Sequence, residues 1–147
     1  MRLFEVVPAG REDWSPGAGA MTMADVFRHL ALTERWLFVE VATGGASRYS
    51  SHARDLAPSR AAIEALLRGC HDSSMRILEA FDGAAWDRQV LTPAAAAMPA
   101  WKWLRAMVEH EAHHRGQLYL MLRLAGVRTP PLYGLSAEEV MARSLRP

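Results

Sequence analysis

The chain has few of the residues that would staple or anchor it. It carries one cysteine, Cys70, so an internal disulfide is excluded, and so is a cysteine-rich metal site. One lysine, Lys102, stands against 16 arginines. With the many alanines, this reads as genome composition bias rather than function. The formal net charge is +1, with no run or stripe of one sign, so there is no electrostatic case for nucleic acid or an anionic membrane. No apolar run approaches the roughly 20 residues of a membrane span. The opening MRLFEVVPAG lacks the long apolar core of a signal peptide, which leaves the cytoplasm as the default expectation. Sustained period-two alternation is absent too, apart from a weak candidate at residues 88 to 92, and this argues against a sheet protein.

What is present points to helices. The 147 residues, half of them hydrophobic, suffice for one domain, 1–147, with a real core. A Gly/Pro-rich loop gives way at Thr22 to a predicted helix over 22–42, with Thr22 as cap and Asp25 at its third helical position. Met23, Val26, Leu30, Leu37 and Val41 form its apolar stripe. A second helix is predicted from about Ser59 to Phe81, after Pro58 and before Asp82-Gly83. A third runs from about Ala100 to Ala125 and is closed by Gly126. Pro130-Pro131 forces a turn, and Ser136 to Glu139 spell a capping box that opens a short last helix. The expected fold is therefore all-α, a helical bundle. Two loops of about 16 residues, at 43–58 and 83–99, are long for a minimal bundle, and loops of that length are often functional.

The third helix carries the chemistry. At about 100° per residue, Leu104, Met107, Val108, Leu118, Leu122 and Ala125 share one side. His114 lies inside that sector, His110 at its edge one turn away, and His113 toward the polar side. His110 and His114 are thus i, i+4 neighbours, able to share one divalent ion. Neutral imidazole suits Zn, Ni, Cu or Fe(II). A third ligand must come from elsewhere, and His29, at the edge of the first long helix's stripe, is the candidate. His52 and His71 read as ordinary surface or loop histidines, Cys70 as a packing residue, and Trp36, Trp101 and Trp103 as core. Glu111 and Arg115, also spaced i, i+4, project toward the apolar side. They form either a partly buried ion pair or a general base for a metal-bound water with an anion-orienting cation.

The run His110-Glu111-Ala112-His113-His114 matches H-E-x-x-H, the zinc protease signature. Its metzincin continuation fails, because Gln117 stands where glycine is needed and Leu120 where the third histidine is needed. Glu138 or Glu139 could replace that ligand in another zincin, yet no sheet is predicted to hold a peptide. A protease is therefore disfavoured.

The segments WKWLRAMVEHEAHHRGQLYLMLRLAGV, DWSPGAGAMTMADVFRHLALTERWLF and PPLYGLSAEEV together resemble the DinB/YfiT-like superfamily, over roughly residues 12 to 141. The resemblance implies a DinB-like up-down four-helix bundle, often dimeric, with one divalent metal per chain held by three histidines, which match His29, His110 and His114. It does not distinguish Zn, Ni, Fe and Mn. Family members of known activity include thiol-dependent S-transferases and isomerases using mycothiol, bacillithiol or glutathione. The implied function is therefore a metal-dependent thiol S-transferase or hydrolase acting on a small-molecule substrate. Glu111 and Arg115 would be its further catalytic candidates. The competing expectation is a non-catalytic metal- or small-ligand-binding stress protein. One departure stands out: only MRLFEVV precedes the DWSPGAGAM segment, where the family usually has a full helix. A bundle short of one wall exposes an apolar groove, which predicts a homodimer that covers it.

Overall fold

The structure, a computed structural model, describes residues 2–49, 51–52, 54–131 and 134–144. Leu132 and Tyr133, within the PPLYGLSAEEV segment that carried part of the resemblance, lie outside the described residues. The fold is a helical bundle with one small hairpin. After a single turn, α1 (Arg2–Glu5), comes a long rod. It runs as α2 (Met23–Leu32), a π-helical stretch Thr33–Val39, and α3 (Glu40–Ala42). Next are α4 (Arg60–Glu79), the short α5 (Gly83–Asp87), the strands β1 (Gln89–Leu91) and β2 (Ala97–Pro99), α6 (Ala100–Leu124) and α7 (Ala137–Ser144).

The helix ends follow local chemistry. Thr22 and Asp25 close a reciprocal capping box at 3.0 and 3.1 Å, which satisfies two donors that the first turn would leave orphaned. Ser59 accepts from the Ala62 amide at 3.2 Å to open α4. At the end of α6, Gly126 adopts φ 76°, and the Val127 amide returns to the Leu122 carbonyl at 2.8 Å. This is a Schellman turn, which needs the left-handed residue that glycine supplies. The Ser136–Glu139 box opens α7, at 3.2 and 2.6 Å.

The π stretch was not anticipated. It begins at Thr33, whose hydroxyl donates back to the His29 carbonyl at 2.7 Å, a bond that bends helices. Bonding i to i+5 adds a residue per turn, so the apolar phase slips: Phe38 and Val39 are buried where an unbroken helix would bury Leu37. The second departure is the hairpin. β1 falls where the sequence carries a weak strand signal, but its antiparallel partner β2, with Val90 opposite Met98, is the tripeptide Ala97-Met98-Pro99, which has no strand signature.

α4 and α6 pack chiefly on the α2 rod rather than on each other. The core lies along that rod in two parts. One joins Met23, Val26 and Phe27 to Ile63, Leu118, Leu122 and, from the N-terminus, Phe4 and Val7. The other joins Val39, Val41 and Ala42 to Val90, Ala100 and Leu104. Each large side chain so buried contributes about 1.5–3 kcal/mol. α1 is as short as expected, and a recess of about 250 Å³ opens between α4 and α6, over Phe27 and Leu30 of the rod and beside Leu3 and Phe4. Two residues placed in the apolar set are not covered: Val108 is 60% and Trp101 is 46% exposed. No helix among the described residues is long and apolar enough to cross a membrane.

Candidate metal centre

The two parts of the core leave a gap along the rod, and three histidines fill it. His29 sits on α2 between Val26 and the π stretch; His110 and His114 face it from α6, one turn apart. Their ligand nitrogens all lie within 4.8 Å of one another. The His29 Nε2 is 3.0 Å from the His110 Nε2, which is 3.2 Å from the His114 Nε2. Imidazole nitrogens held at 2.0–2.1 Å around one ion would stand about 2.8–3.4 Å apart, for octahedral to tetrahedral angles. The donors present therefore fit one divalent ion. Three nitrogens aimed at one point are also hard to account for otherwise, since at most one proton can sit between any two of them.

The surroundings keep these rings neutral. Burial, followed by repulsion from the neighbouring histidines, holds His29 and His110 down at about 4. Burial lowers His114 as well, against the opposing pull of its bond to Gln117. Neutral imidazole is the form that ligates. The His114 Nδ1–H donates to the Gln117 Oε1 at 2.7 Å, which leaves its Nε2 lone pair facing the centre. The His29 Nδ1 lies 2.6 Å from the Tyr49 hydroxyl. Phe38 packs on His110, ring centres 5.4 Å apart.

The 43–58 segment forms the outer wall. At its start the Arg48 guanidinium stacks on Trp36 at 3.9 Å and donates to Glu40 at 3.0 Å. Near its end Arg54 grips the buried Asp25, and the buried Arg28 donates to the Ala57 carbonyl at 2.8 Å. Between these anchors lie Tyr49 and His52. His52, expected to be an ordinary loop histidine, is half-buried; its ring is 5.9 Å from that of His29 and its buried Nδ1 has no partner among the described residues. Tyr49, His52 and Gln117 escaped the sequence reading. The one hint was the length of the loop that carries the first two.

The remaining candidates fall beside this cluster. Glu111 and Arg115 do pair, at 3.3 Å, but with side chains 58% and 38% exposed, so the pair is a solvent-facing one rather than partly buried. Glu111 lines a small recess with His110, Leu30 and Thr33, and with Arg115 it also lines the larger 250 Å³ recess between α4 and α6. His113 is exposed on the polar side, and His71 is exposed and paired with Glu34 at 3.1 Å. Cys70 is buried, which pushes its thiol upward and away from reactivity. Trp36 serves as a half-buried platform for Arg35 and Arg48.

Comparison with known proteins agrees with the fold. A family model described as the DinB family matches residues 2–144. Two solved structures share the fold. One is a DinB-like protein, YjoA, from Bacillus subtilis, with TM-score 0.70 and 20% identity, covering 89% of this chain and 87% of that one. The other is a DinB-like protein from Bacillus cereus ATCC 10987, with TM-score 0.70 and 18% identity, covering 89% and 86%. A shorter match, 40% identical over 42 residues, is to the uncharacterized protein YrdA of Bacillus subtilis (strain 168). It spans 29% of this chain and 25% of YrdA.

Proposed function

We propose that this chain, which belongs to the DinB family, binds one divalent metal ion through His29, His110 and His114 and uses it to transfer a low-molecular-weight thiol to, or hydrolyse, a small molecule. The observation that carries the reading is the convergence of three Nε2 atoms from two helices at 3.0–3.2 Å steps. A divalent ion there supplies Lewis acidity, which makes a thiol or water nucleophilic near neutral pH. Zn, Ni, Fe and Mn all suit the ligand set to differing degrees. The protein's own part is positioning. Helices rather than loops carry the three imidazoles, so their geometry is rigid. Glu111, on the recess it shares with His110, accepts the proton released by the nucleophile, and Arg115 presents its guanidinium to an anionic group in the adjoining recess.

The test is consumption of glutathione, bacillithiol or mycothiol by metal-loaded protein in the presence of a panel of small electrophiles. Turnover that is lost in His114→Ala supports the transferase. A fully loaded protein that leaves every thiol intact supports a second reading, a non-catalytic metal-binding protein. That reading draws on His52, whose unpartnered nitrogen beside His29 is a group able to close the open position that catalysis needs. We further propose a cytoplasmic homodimer that covers the recess between α4 and α6. Light scattering after size exclusion should give twice the monomer mass, and a stable monomer would contradict it.

A further inference from the structure

We propose that Tyr49 is a positioning residue for the metal centre: its phenol oxygen accepts the Nδ1–H of His29 and so turns the Nε2 lone pair of that ring toward His110 and His114. The inference rests on the metal-binding reading above and adds to it a residue from outside the helices.

The geometry is specific. The Tyr49 hydroxyl lies 2.6 Å from the His29 Nδ1, with the two rings nearly perpendicular at 79°. The opposite nitrogen of the same imidazole is the one that meets His110, at 3.0 Å. An imidazole ligates through one nitrogen, and whatever bonds the other decides which tautomer is present and how the ring is turned. The second α6 ligand shows the same arrangement. His114 has its Nδ1 on the Gln117 carbonyl oxygen at 2.7 Å, a group that can only accept, and its Nε2 faces the centre. His29 and His114 thus each have one nitrogen committed outward and one inward. For His114 the outward partner sits three residues away on the same helix; for His29 it arrives from the 43–58 segment.

That segment is held firmly enough to do this. The Arg48 amide donates to the Trp36 carbonyl at 3.0 Å, and its guanidinium is fixed by Glu40 and the Trp36 ring. Tyr49 is the next residue along the chain. It is half-buried, so its hydroxyl bond to His29 is partly shielded from competing water.

The experiment uses the full-length protein and cobalt(II) as the probe metal. Tyr49→Phe keeps the ring and removes the oxygen. The cobalt Kd is measured by competition with a chelator, together with the cobalt visible spectrum and the melting temperature of the metal-free protein. In parallel, nitrogen-15 spectra of the histidine rings of metal-free protein report the tautomer of His29. The expected result is affinity weakened about 10–100-fold, an altered visible spectrum, an unchanged metal-free melting temperature, and an Nδ1–H tautomer in the parent that becomes mixed in the variant. A variant that binds within about twofold of the parent, or whose metal-free melting temperature falls in step with its affinity, overturns the positioning role. A parent that binds no cobalt overturns the metal reading instead. In that case the tautomer spectra still decide whether Tyr49 sets His29, and an Nε2–H tautomer in the parent would show that it does not.

Discussion

Replacing Asp25 with alanine should cost the fold about 3–5 kcal/mol, although Asp25 touches none of the three histidines. Its carboxylate is 4% exposed and lies against Arg28, also 4% exposed. One oxygen accepts from Arg28 at 3.2 Å and from Arg54 at 2.9 Å; the other accepts from the Thr22 amide at 3.1 Å and from Arg54 at 2.6 Å. Arg28 keeps its bond to the Ala57 carbonyl at 2.8 Å, but with Asp25 gone its charge is buried without a counter-ion. That uncompensated charge is the costly part. Arg54, by contrast, has a side chain 62% exposed and can return to water, and Asp25 keeps Arg28 as a counter-ion, so Arg54→Ala should cost less than Asp25→Ala. Urea titrations at neutral pH give both numbers, as a lowered midpoint at unchanged slope. Replacing Arg28 with methionine in the Asp25→Ala background should recover part of the loss, because it removes the stranded charge. An Asp25→Ala cost under about 1 kcal/mol, or one no larger than that of Arg54→Ala, would mean that Arg28 is not left as an uncompensated buried charge.

Further consequences follow from the same geometry. Burial alone would raise the Asp25 carboxyl, but the bonds from Arg54 and Thr22 more than offset it and hold the group at about 2, against 3.8. A depressed carboxyl stabilises the fold above its unfolded value, so about 2 kcal/mol should be lost as pH falls from about 4 through 2. Urea midpoints across that range in the parent and in Asp25→Asn check this, and equal slopes would contradict it. Because His29 and His110 are held at about 4, protons should not compete for the site near neutrality. The zinc Kd should change less than about twofold between pH 7.5 and 6, whereas two ordinary histidines would weaken it about tenfold; isothermal titration at the two pH values distinguishes these. Gly126→Ala should cost about 1 kcal/mol by thermal melting, from backbone strain alone, since an added Cβ would meet no atom within 4 Å at φ 76°; a neutral substitution would mean that the Schellman turn has relaxed.

Features set by local chemistry could be read from the sequence. Thr22, Ser59, Gly126 and Ser136 mark helix ends through bonds to residues two to four positions away, and such bonds leave a signature in any short window. The i, i+4 pair His110 and His114 is legible for the same reason. His29 could be placed with them because its helix face could be drawn, and because the ordered segments resemble one family; the structure brings the three side chains together. The features that were missed depend on distant partners or on broken periodicity. Tyr49 and His52 lie beside His29, 20 and 23 residues away in sequence, on a segment with no regular period whose side chains are placed through the anchors at Glu40, Trp36 and Asp25. The π stretch shifts the buried face after Thr33, so a wheel drawn at a fixed angle assigns Leu37 where Phe38 and Val39 are covered. On α6 a fixed-angle wheel counts Val108 as apolar-facing, yet α4 packs chiefly on the rod rather than on α6, and Val108 is left exposed. β2 was hidden because it is Ala97-Met98-Pro99, and alanine and proline are depleted in strands.

Whether the three converging imidazoles bind a metal is decided by elemental analysis of protein purified without a histidine tag, beside the His110→Ala, His114→Ala double variant. The parent should hold about one divalent ion per chain, retained through desalting, and the double variant none, at an unchanged fold by circular dichroism. A parent that holds no ion after incubation with Zn, Ni and Mn, or a double variant that holds as much as the parent, would contradict metal binding by these histidines.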